Sequence, residues 1–471
     1  MRGAALTIGL CAVLAAGAGY AVREGESEAH ARPAARGPEA LARAVTPGRL
    51  RAHLVALEAI ARRSGGSRAA GGPGYERSVA YVVGQLRAAG YRPRLQSFSF
   101  DLFRETRPPH FERLSPQPAQ YSARRDFLTL RYSGSGTVTG EVAPVEPDSA
   151  SSGCEPADFA AFPRGAVALL RRGTCFFTQK AQNAKSAGAS AVLIANEGVP
   201  GRTAPIAATL VRPGIGIPVL MISSRVSSEL AQSAQAGTVR VRIAVSAVSR
   251  TARAANVIAD LPGRRSGTVL LGAHLDSVAN GPGINDNGSG SALVLEVARQ
   301  ARRLGVRPAR GLRFAFWGAE ELGLVGSTAY VRSLSARERR QLHAVLNFDM
   351  VGSKNFGRFV YDGSTAPPGS ARIEDAFRAY FAARRQTIEE LSLGGGSDHA
   401  PFARAGLPVG GVFTGADALK AAGLVSRFGG TAGRPFDPCY HQACDTVSNI
   451  NVRVLSQMAD AAAVVALRLA S

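Results

Sequence analysis

Apolar residues at helical spacing predict two helices near the start of the chain. The first helix is indicated by four residues: Leu50, Leu54, Leu57 and Ile60. The glycine-rich run SGGSRAAGGPG then ends this helix. The second helix is indicated by another four: Val79, Val82, Val83 and Leu86. It stops near Gly90, and the run LQSFSF after it predicts a strand.

From about residue 251 onwards, apolar runs of strand length alternate with helical patterns. The strands are predicted in TVLLGAHLD, GLRFAFWGAEE, AVLNFDMVG and PVGGVFTG, and helices such as SALVLEVARQARRL and VGSTAYVRSL lie between them. Such alternation is typical of an α/β fold. We therefore expect a mixed, largely parallel central sheet with helices on both faces.

The chain divides into several segments, and its 471 residues are too many for one ordinary core. Residues 120–245 hold their own strands and a helix (AVALL, RRGTCFFTQKAQNAKSAGASAVLIAN, IPVLMIS), which predicts an inserted, mainly β/α domain. It interrupts a larger domain made of residues 47–119 and 246–471. Residues 29–46 are predicted to be a linker or pro-segment, because they lack periodicity and are rich in Ala, Arg, Glu and Pro.

The first 28 residues are predicted to be an export signal. Arg2 provides the positive charge, and an apolar run from Ala4 to Val22 precedes small residues and a charged stretch. The apolar run is near the lower length limit for a membrane span, so an uncleaved N-terminal anchor is the alternative. Export predicts a secreted, extracellular protein that meets a membrane only if this segment is retained.

The charge balance does not indicate a nucleic-acid partner. The net charge is +21, but the excess consists of Arg residues scattered through every segment. No long basic run and no stripe of basic and aromatic residues is present in the sequence. We therefore expect no nucleic-acid binding.

Four cysteines remain if the signal is removed: Cys154, Cys175, Cys439 and Cys444. An even number in an exported protein predicts two disulfides, and the spacing favours the pairs 154–175 and 439–444. A zinc site built from all four thiolates is the alternative. It is disfavoured because the two pairs lack the usual spacing of such sites.

Unusual polar residues follow the predicted strands of the larger domain, in the motifs GAHLDSV, GPGINDNGSG, WGAEELGLVGS and NFDMVGS. They are His274, Asp276, Asp286, Glu320, Glu321 and Asp349. Taken singly, each has a structural explanation, such as a helix N-cap for Asp286. Chemistry in parallel sheets occurs at the carboxyl ends of strands, and buried carboxylates are costly unless they are paired or bind metal. Together these residues therefore predict a metal site.

Histidine with carboxylates fits zinc or a similar hydrolytic metal. Two such ions, roughly 3.5–4 Å apart, activate a water and need about five ligands with one bridging carboxylate. The adjacent glutamates suit a division of roles in which one is a ligand and the other is the base. Asp276 is placed to orient His274 as a hydrogen-bonding partner.

The fifth ligand is left open between two histidines, His399 in GGGSDHAPF and His441 in CYHQACDT. Both lie in the region of alternating strands and helices. A short disulfide loop from Cys439 to Cys444 would hold His441 and its neighbour Tyr440 rigidly, which favours His441.

These motifs, in this order, resemble those of the secreted bacterial two-zinc aminopeptidases of the leucine aminopeptidase type. The similarity covers residues 47–110 and 251–471 and rests on GAHLDSV, NDNGSG, GAEELGLVGS, NFDMVGS, SDHAPF and CYHQACDT. The segment 120–245 resembles the protease-associated (PA) domain that is commonly inserted in this family. The resemblance implies a zinc-exopeptidase fold, two Zn²⁺ per chain and peptide or protein substrates. We expect a monomer.

The resemblance also implies roles for individual residues. The implied metal ligands are His274, Asp286, Glu321, Asp349 and His441, with Asp286 as the bridge. Glu320 would be the general base that activates the water and later protonates the leaving amine. Tyr440 would hydrogen-bond the oxyanion, and His399 would lie near the site but outside the metal shell.

One departure concerns the pocket for the substrate amine. Close relatives carry an acidic residue and an arginine just before the Ser-Asp pair, where this chain has Gly394 and Gly396. Glu390 is retained and is the predicted partner of the ammonium group.

The resemblance thus implies a zinc aminopeptidase that favours large apolar N-terminal residues. A carboxypeptidase or dipeptidase on the same scaffold is one alternative, and a non-catalytic, receptor-like protein is another. A serine hydrolase is disfavoured because the sequence has no G-x-S-x-G motif.

Overall fold

The computed structural model of the protein describes residues 37–471, so the predicted export signal lies outside the described residues. The helices are α1 (Pro38–Ala44), α2 (Pro47–Arg62), α3 (Pro73–Ala88), α4 (Phe177–Ser186), α5 (Ser224–Ala236), α6 (Gly290–Arg303), α7 (Val325–Ser333), α8 (Ala336–Gln341), α9 (Ser370–Ala383), α10 (His399–Arg404), α11 (Ala422–Phe428) and α12 (Val452–Leu469). Within residues 37–471, no helix combines the length and apolar character needed to cross a membrane.

The strands form one extended sheet of two parts. They are β1 (Arg94–Ser115), β2 (Ala119–Gln120), β3 (Phe127–Thr129), β4 (Gly136–Pro144), β5 (Val167–Arg171), β6 (Ala191–Ala195), β7 (Val219–Ile222), β8 (Arg240–Leu261), β9 (Thr268–His274), β10 (Gly311–Trp317), β11 (Leu342–Phe348), β12 (Phe359–Tyr361), β13 (Glu389–Leu391) and β14 (Val409–Phe413).

The central part of the sheet has the strand order β13-β12-β14-β11-β9-β10-β8. Its middle strands β14, β11, β9 and β10 are parallel. β8 runs antiparallel to β10, and β12 runs antiparallel to β14 but parallel to β13. Successive residues of β9 enter different apolar clusters, Leu271 with α2, α6 and α12, and Leu270 with α7 and α10. Helices therefore cover both faces, which confirms the predicted fold class.

The inserted part has the strand order β4-β5-β6-β7-β3, with β4 to β7 parallel and β3 antiparallel. Alternate residues of β5 again supply two cores, Leu169 on one side and Leu170 on the other. The predicted disulfide Cys154–Cys175 lies in this domain.

Two long strands join the parts. β1 and β8 pair antiparallel over most of their length, from Leu95 opposite Val257 in the central part to Phe111 opposite Ile243 in the inserted part. The predicted strand LQSFSF is only the first third of β1. The insert proposed for residues 120–245 is thus attached through a hydrogen-bonded ribbon.

The predicted linker needs a correction where the structure describes it. Residues 38–44 form helix α1 instead of an irregular segment. Leu41 is fully buried, and α1 packs against α12. The apolar residues in PEALARA are too few to show periodicity in the sequence, but in the structure they pack against α12.

Candidate metal centre

Parallel strands place the candidate residues at one edge of the sheet. His274 is the last residue of β9, Glu320 and Glu321 follow β10, and Asp349 follows β11. These strands are neighbours with the same direction, so their ends meet. Asp286 lies in the turn Ile284–Ser289, which leads into α6.

Asp286 lies between two histidines. Its Oδ1 is 3.1 Å from His274 Nε2, and its Oδ2 is 3.2 Å from His441 Nε2. Asp349 Oδ1 is 3.3 Å from His274 Nε2, and Glu321 Oε2 is 3.1 Å from His441 Nε2. Two possible ion-binding groups result, His274–Asp286–Asp349 and Asp286–Glu321–His441. They share Asp286.

The donor set fits divalent cations. Glu321 Oε1 and Asp349 Oδ1 are buried oxygens without a hydrogen-bond donor among the described residues. The carboxylates of Asp286 and Glu320 lie in the same cluster beside the two imidazoles, so the acids at this site outnumber the histidines. Buried carboxylates in this number need cations, and imidazole with carboxylate is a zinc-type ligand set.

The pKa values of the carboxyl groups reflect this crowding. Burial raises the pKa of Glu320 well above its usual range, and the neighbouring Asp398 and Asp349 add to the effect. Burial, followed by the charge of Asp286, raises the pKa of Glu321 to about 7. Burial also opposes ionisation of Asp286, but hydrogen bonds with His274 and His441 outweigh it and lower that pKa.

Asp276 supports both the first histidine and the glutamate pair. His274 Nδ1 is 3.2 Å from the main-chain oxygen of Asp276 and 3.7 Å from its carboxylate. The carboxylate accepts hydrogen bonds from the backbone N–H groups of Glu320 and Glu321 at 3.2 and 3.4 Å. Asp276 therefore connects the end of β9 with the loop that carries Glu320 and Glu321. Its main-chain oxygen, not its carboxylate, lies nearest the His274 imidazole.

His441 and Tyr440 lie in a short loop closed by the predicted disulfide Cys439–Cys444. Their rings stack with centroids 3.8 Å apart. Hydrogen bonds with Asp286 and Glu321 raise the pKa of His441 to about 10. The other candidate, His399, belongs to neither ion-binding group, and its Nε2 is 2.7 Å from Leu393 O.

Two supporting residues were not identified from the sequence. Asp445 accepts hydrogen bonds from the backbone N–H groups of Asn285 and Asp286, at 2.9 and 3.1 Å. The fully buried Arg68 donates to the main-chain oxygens of three residues in the loops that carry His274 and Asp286: Leu275, Pro282 and Gly283. Asp445 was visible in the motif CYHQACDT, whereas nothing in SGGSRAAGGPG indicates the role of Arg68.

A cavity of about 730 Å³ adjoins these residues. Its walls include the acids of both groups, Tyr440, His399 and several apolar side chains: Met350, Tyr361, Leu391, Leu393 and Phe413. A Cβ atom at Gly395 or Gly396 would meet no other atom within 4 Å, so the cavity is open there.

The structure does not bring Glu390 to this cavity. Side chains alternate along β13, and because Leu391 lines the cavity, its neighbour Glu390 points away. The Glu390 carboxylate is half-exposed and pairs with Arg378 on α9. The prediction that Glu390 meets the substrate amine is therefore corrected.

Comparisons with known proteins agree with this geometry. A model of peptidase family M28 matches residues 256–466, and a model of the PA domain matches residues 138–230. An aminopeptidase of Pseudomonas aeruginosa is 42% identical over 442 residues, covering 91% of this chain and 82% of the relative. Leucine aminopeptidase 2 of Trichophyton rubrum is 34% identical over 392 residues, covering 82% and 76%.

A solved structure supports the same assignment. The aminopeptidase from Aneurinibacillus sp. strain AM-1 superposes with a TM-score of 0.63 at 25% identity, covering 92% of this chain and 96% of that one. The match spans both parts of the sheet. The chain therefore belongs to peptidase family M28, a family of metallo-exopeptidases, and contains a PA domain.

Proposed function

We propose that the protein is a two-zinc aminopeptidase that releases the N-terminal residue of peptides. The observation that carries this proposal is the shared carboxylate, since Asp286 has one oxygen near each histidine. A bridging carboxylate flanked by two further ligands on each side is the arrangement that a two-metal site needs. The relatives' activity supports the aminopeptidase assignment.

In this proposal, His274, Asp286 and Asp349 hold one zinc ion, and Asp286, Glu321 and His441 hold the other. When bound, the two ions lower the pKa of a water and polarise the carbonyl of the scissile bond. Asp276 and Asp445 fix the loops that present the ligands, through the backbone hydrogen bonds described above.

Glu320 transfers a proton from the attacking water to the leaving amine. It lines the cavity, and its Oε2 lies 3.9 Å from His274 Nε2, so it borders the first ion-binding group without belonging to either. It takes the proton of the attacking water and passes it to the nitrogen of the leaving amine. Tyr440, also in the cavity wall, donates a hydrogen bond to the carbonyl oxygen as negative charge develops there.

The cavity supports a preference for large apolar N-terminal residues. Met350, Leu393 and Phe413 give it an apolar wall, and its volume exceeds that of any single side chain. The glycines supply no side chain, and Glu390 points away from the cavity. The carboxylates that line the cavity and can meet a substrate amine are therefore those of the metal centre.

Exchanging Glu320 for glutamine tests the assignment of the base. We expect Glu320→Gln to keep two zinc ions by elemental analysis while turnover of Leu-p-nitroanilide falls by at least about a hundredfold. The matched control is Glu76→Gln, at an exposed glutamate on α3, which should retain wild-type turnover. Wild-type turnover in Glu320→Gln contradicts the role of Glu320.

Blocking the amine tests the direction of cleavage. An aminopeptidase should hydrolyse Leu-Phe-amide and leave acetyl-Leu-Phe-amide intact. Release of the C-terminal residue from acetyl-Leu-Phe instead would identify a carboxypeptidase and overturn the proposal.

We also propose that the protein is exported. The N-terminal sequence has the pattern of a signal, and the two disulfides suit an oxidising compartment. Detection of the mature chain in culture supernatant, with its N-terminus sequenced, would locate the cleavage site.

A further inference from the structure

A groove separates the PA domain from the loop that carries the glutamate pair. We call it the interdomain groove; it has a volume of about 510 Å³. Its wall on the peptidase side includes Leu322, and Phe103 of the joining strand β1 lies between the two sides. Its wall on the PA side includes Leu128 of β3 and Ala208.

The interdomain groove begins at the metal centre. Glu321 and Gly323 line both the groove and the 730 Å³ cavity, so the two spaces meet at this loop. A smaller pocket of about 380 Å³ continues from the groove, with Phe103 and Leu322 again in its wall. The cavity, the groove and the smaller pocket therefore all border this one loop.

Contacts between the domains hold the groove in place. The Phe103 ring meets the Tyr132 ring edge-on, with centroids 6.1 Å apart. The Tyr132 hydroxyl donates a hydrogen bond to the main-chain oxygen of Asp101 at 3.1 Å. β1 and the PA domain are thus joined immediately beside the groove, which gives it defined walls.

The walls of the groove offer apolar surface that the protein itself leaves uncovered. Leu128 is partly exposed although Phe127 beside it is fully buried. Phe103 and Leu322 are also partly exposed while packing against apolar clusters. Covering these side chains with an apolar group would be favourable by about 25 cal/mol per Å² of apolar area.

The peptide substrate itself supplies an apolar group that can cover this surface. When the first residue of a peptide occupies the cavity, the rest of the chain has to leave along a surface that adjoins the metal ligands. We propose that the interdomain groove binds the residue that follows the cleaved bond, and that Phe103, Leu322 and Leu128 select an apolar side chain there. This inference rests on the aminopeptidase function proposed above.

Two substrates that differ only in the second side chain test the inference. Leu-Phe-amide and Leu-Gly-amide share the first residue and the scissile bond, so the ratio of their kcat/KM values reports the second position. We expect the wild type to favour Leu-Phe-amide by about tenfold or more. Leu128→Asp should lower that ratio at least about fivefold, because it places a charge in the apolar wall.

The matched control is Leu95→Asp, at an exposed leucine on β1 whose exposed fraction is 51%. It should keep the wild-type ratio. Leu128→Ala provides a milder variant, expected to lower the ratio about threefold, and covers the case in which Leu128→Asp does not fold. A wild-type ratio near one, or a ratio unchanged in Leu128→Ala, overturns the inference. If neither amide is hydrolysed, the aminopeptidase function itself is wrong.

Discussion

Replacing Asp445 with alanine is expected to weaken metal binding without touching a ligand. Its two carboxylate oxygens accept the backbone N–H groups of Asn285 and Asp286. These bonds hold the turn that carries Asp286, the proposed bridging carboxylate. Alanine removes both acceptors and leaves two buried N–H groups without partners.

The size of the effect follows from the hydrogen bonds lost. A buried N–H group left without an acceptor costs about 1–3 kcal/mol, and the turn has two such groups. Part of this loss appears in folding stability and part in metal affinity. Residues that orient metal ligands typically account for about 10- to 100-fold in affinity. We therefore expect Asp445→Ala to raise the zinc concentration for half-maximal activity by about that factor.

The assay titrates metal-free protein with buffered zinc and follows hydrolysis of Leu-p-nitroanilide. Asp445→Asn, which keeps one acceptor oxygen, should fall between Asp445→Ala and the wild type. Asp417→Ala, at an exposed aspartate in the same C-terminal region, is the matched control. A half-activation concentration in Asp445→Ala equal to that of the wild type would refute the reasoning.

Two further predictions concern stability. Arg68→Met removes the buried donor to three main-chain oxygens and leaves those of Leu275 and Pro282 without another partner among the described residues, since only Gly283 O also accepts from Gly288 N–H. Each unpaired oxygen costs about 1–3 kcal/mol, so calorimetry should show a Tm lower by at least about 2 °C. A Tm equal to that of the exposed control variant Arg51→Met would contradict this account. In the PA domain, hydrogen bonds from Arg125, opposed by burial, hold the pKa of Asp126 below its usual value of 3.8. Its stabilisation is thus present at neutral pH and fades as the pH falls below about 4, so the Tm deficit of Asp126→Asn should shrink from pH 7 to pH 3. Because Arg125 and Arg225 are mostly exposed, this deficit should correspond to only about 1 kcal/mol, and an equal deficit at both pH values would exclude the ion pairs as its cause.

The sequence predicted best those candidate metal ligands that lie at the ends of strands. His274, Glu321 and Asp349 each follow an apolar run, so a parallel sheet brings them together whatever the details of the loops. His441 lies far along the chain, and its disulfide loop was the local signal that favoured it over His399. The structure places it 3.1 Å from Glu321.

Other features depend on contacts that no local pattern records. Arg68 reaches the carbonyl groups of loops more than 200 residues away, and a buried arginine looks like any other in an arginine-rich chain. Glu390 was misplaced because a strand of three residues is too short for its alternation to be read from the sequence. The length of β1 and β8 arises from their mutual pairing across two domains, which only the tertiary structure defines.

Restoring activity to metal-free protein with measured equivalents of zinc tests the two-metal centre most directly. The protein is stripped with a chelator, dialysed and titrated while hydrolysis of Leu-p-nitroanilide is followed. Because Asp286 serves both ion-binding groups, we predict that full activity requires two equivalents per chain and that Asp286→Asn loses tight binding of both. Full activity at one equivalent, or activity in protein shown by elemental analysis to be metal-free, would contradict the account.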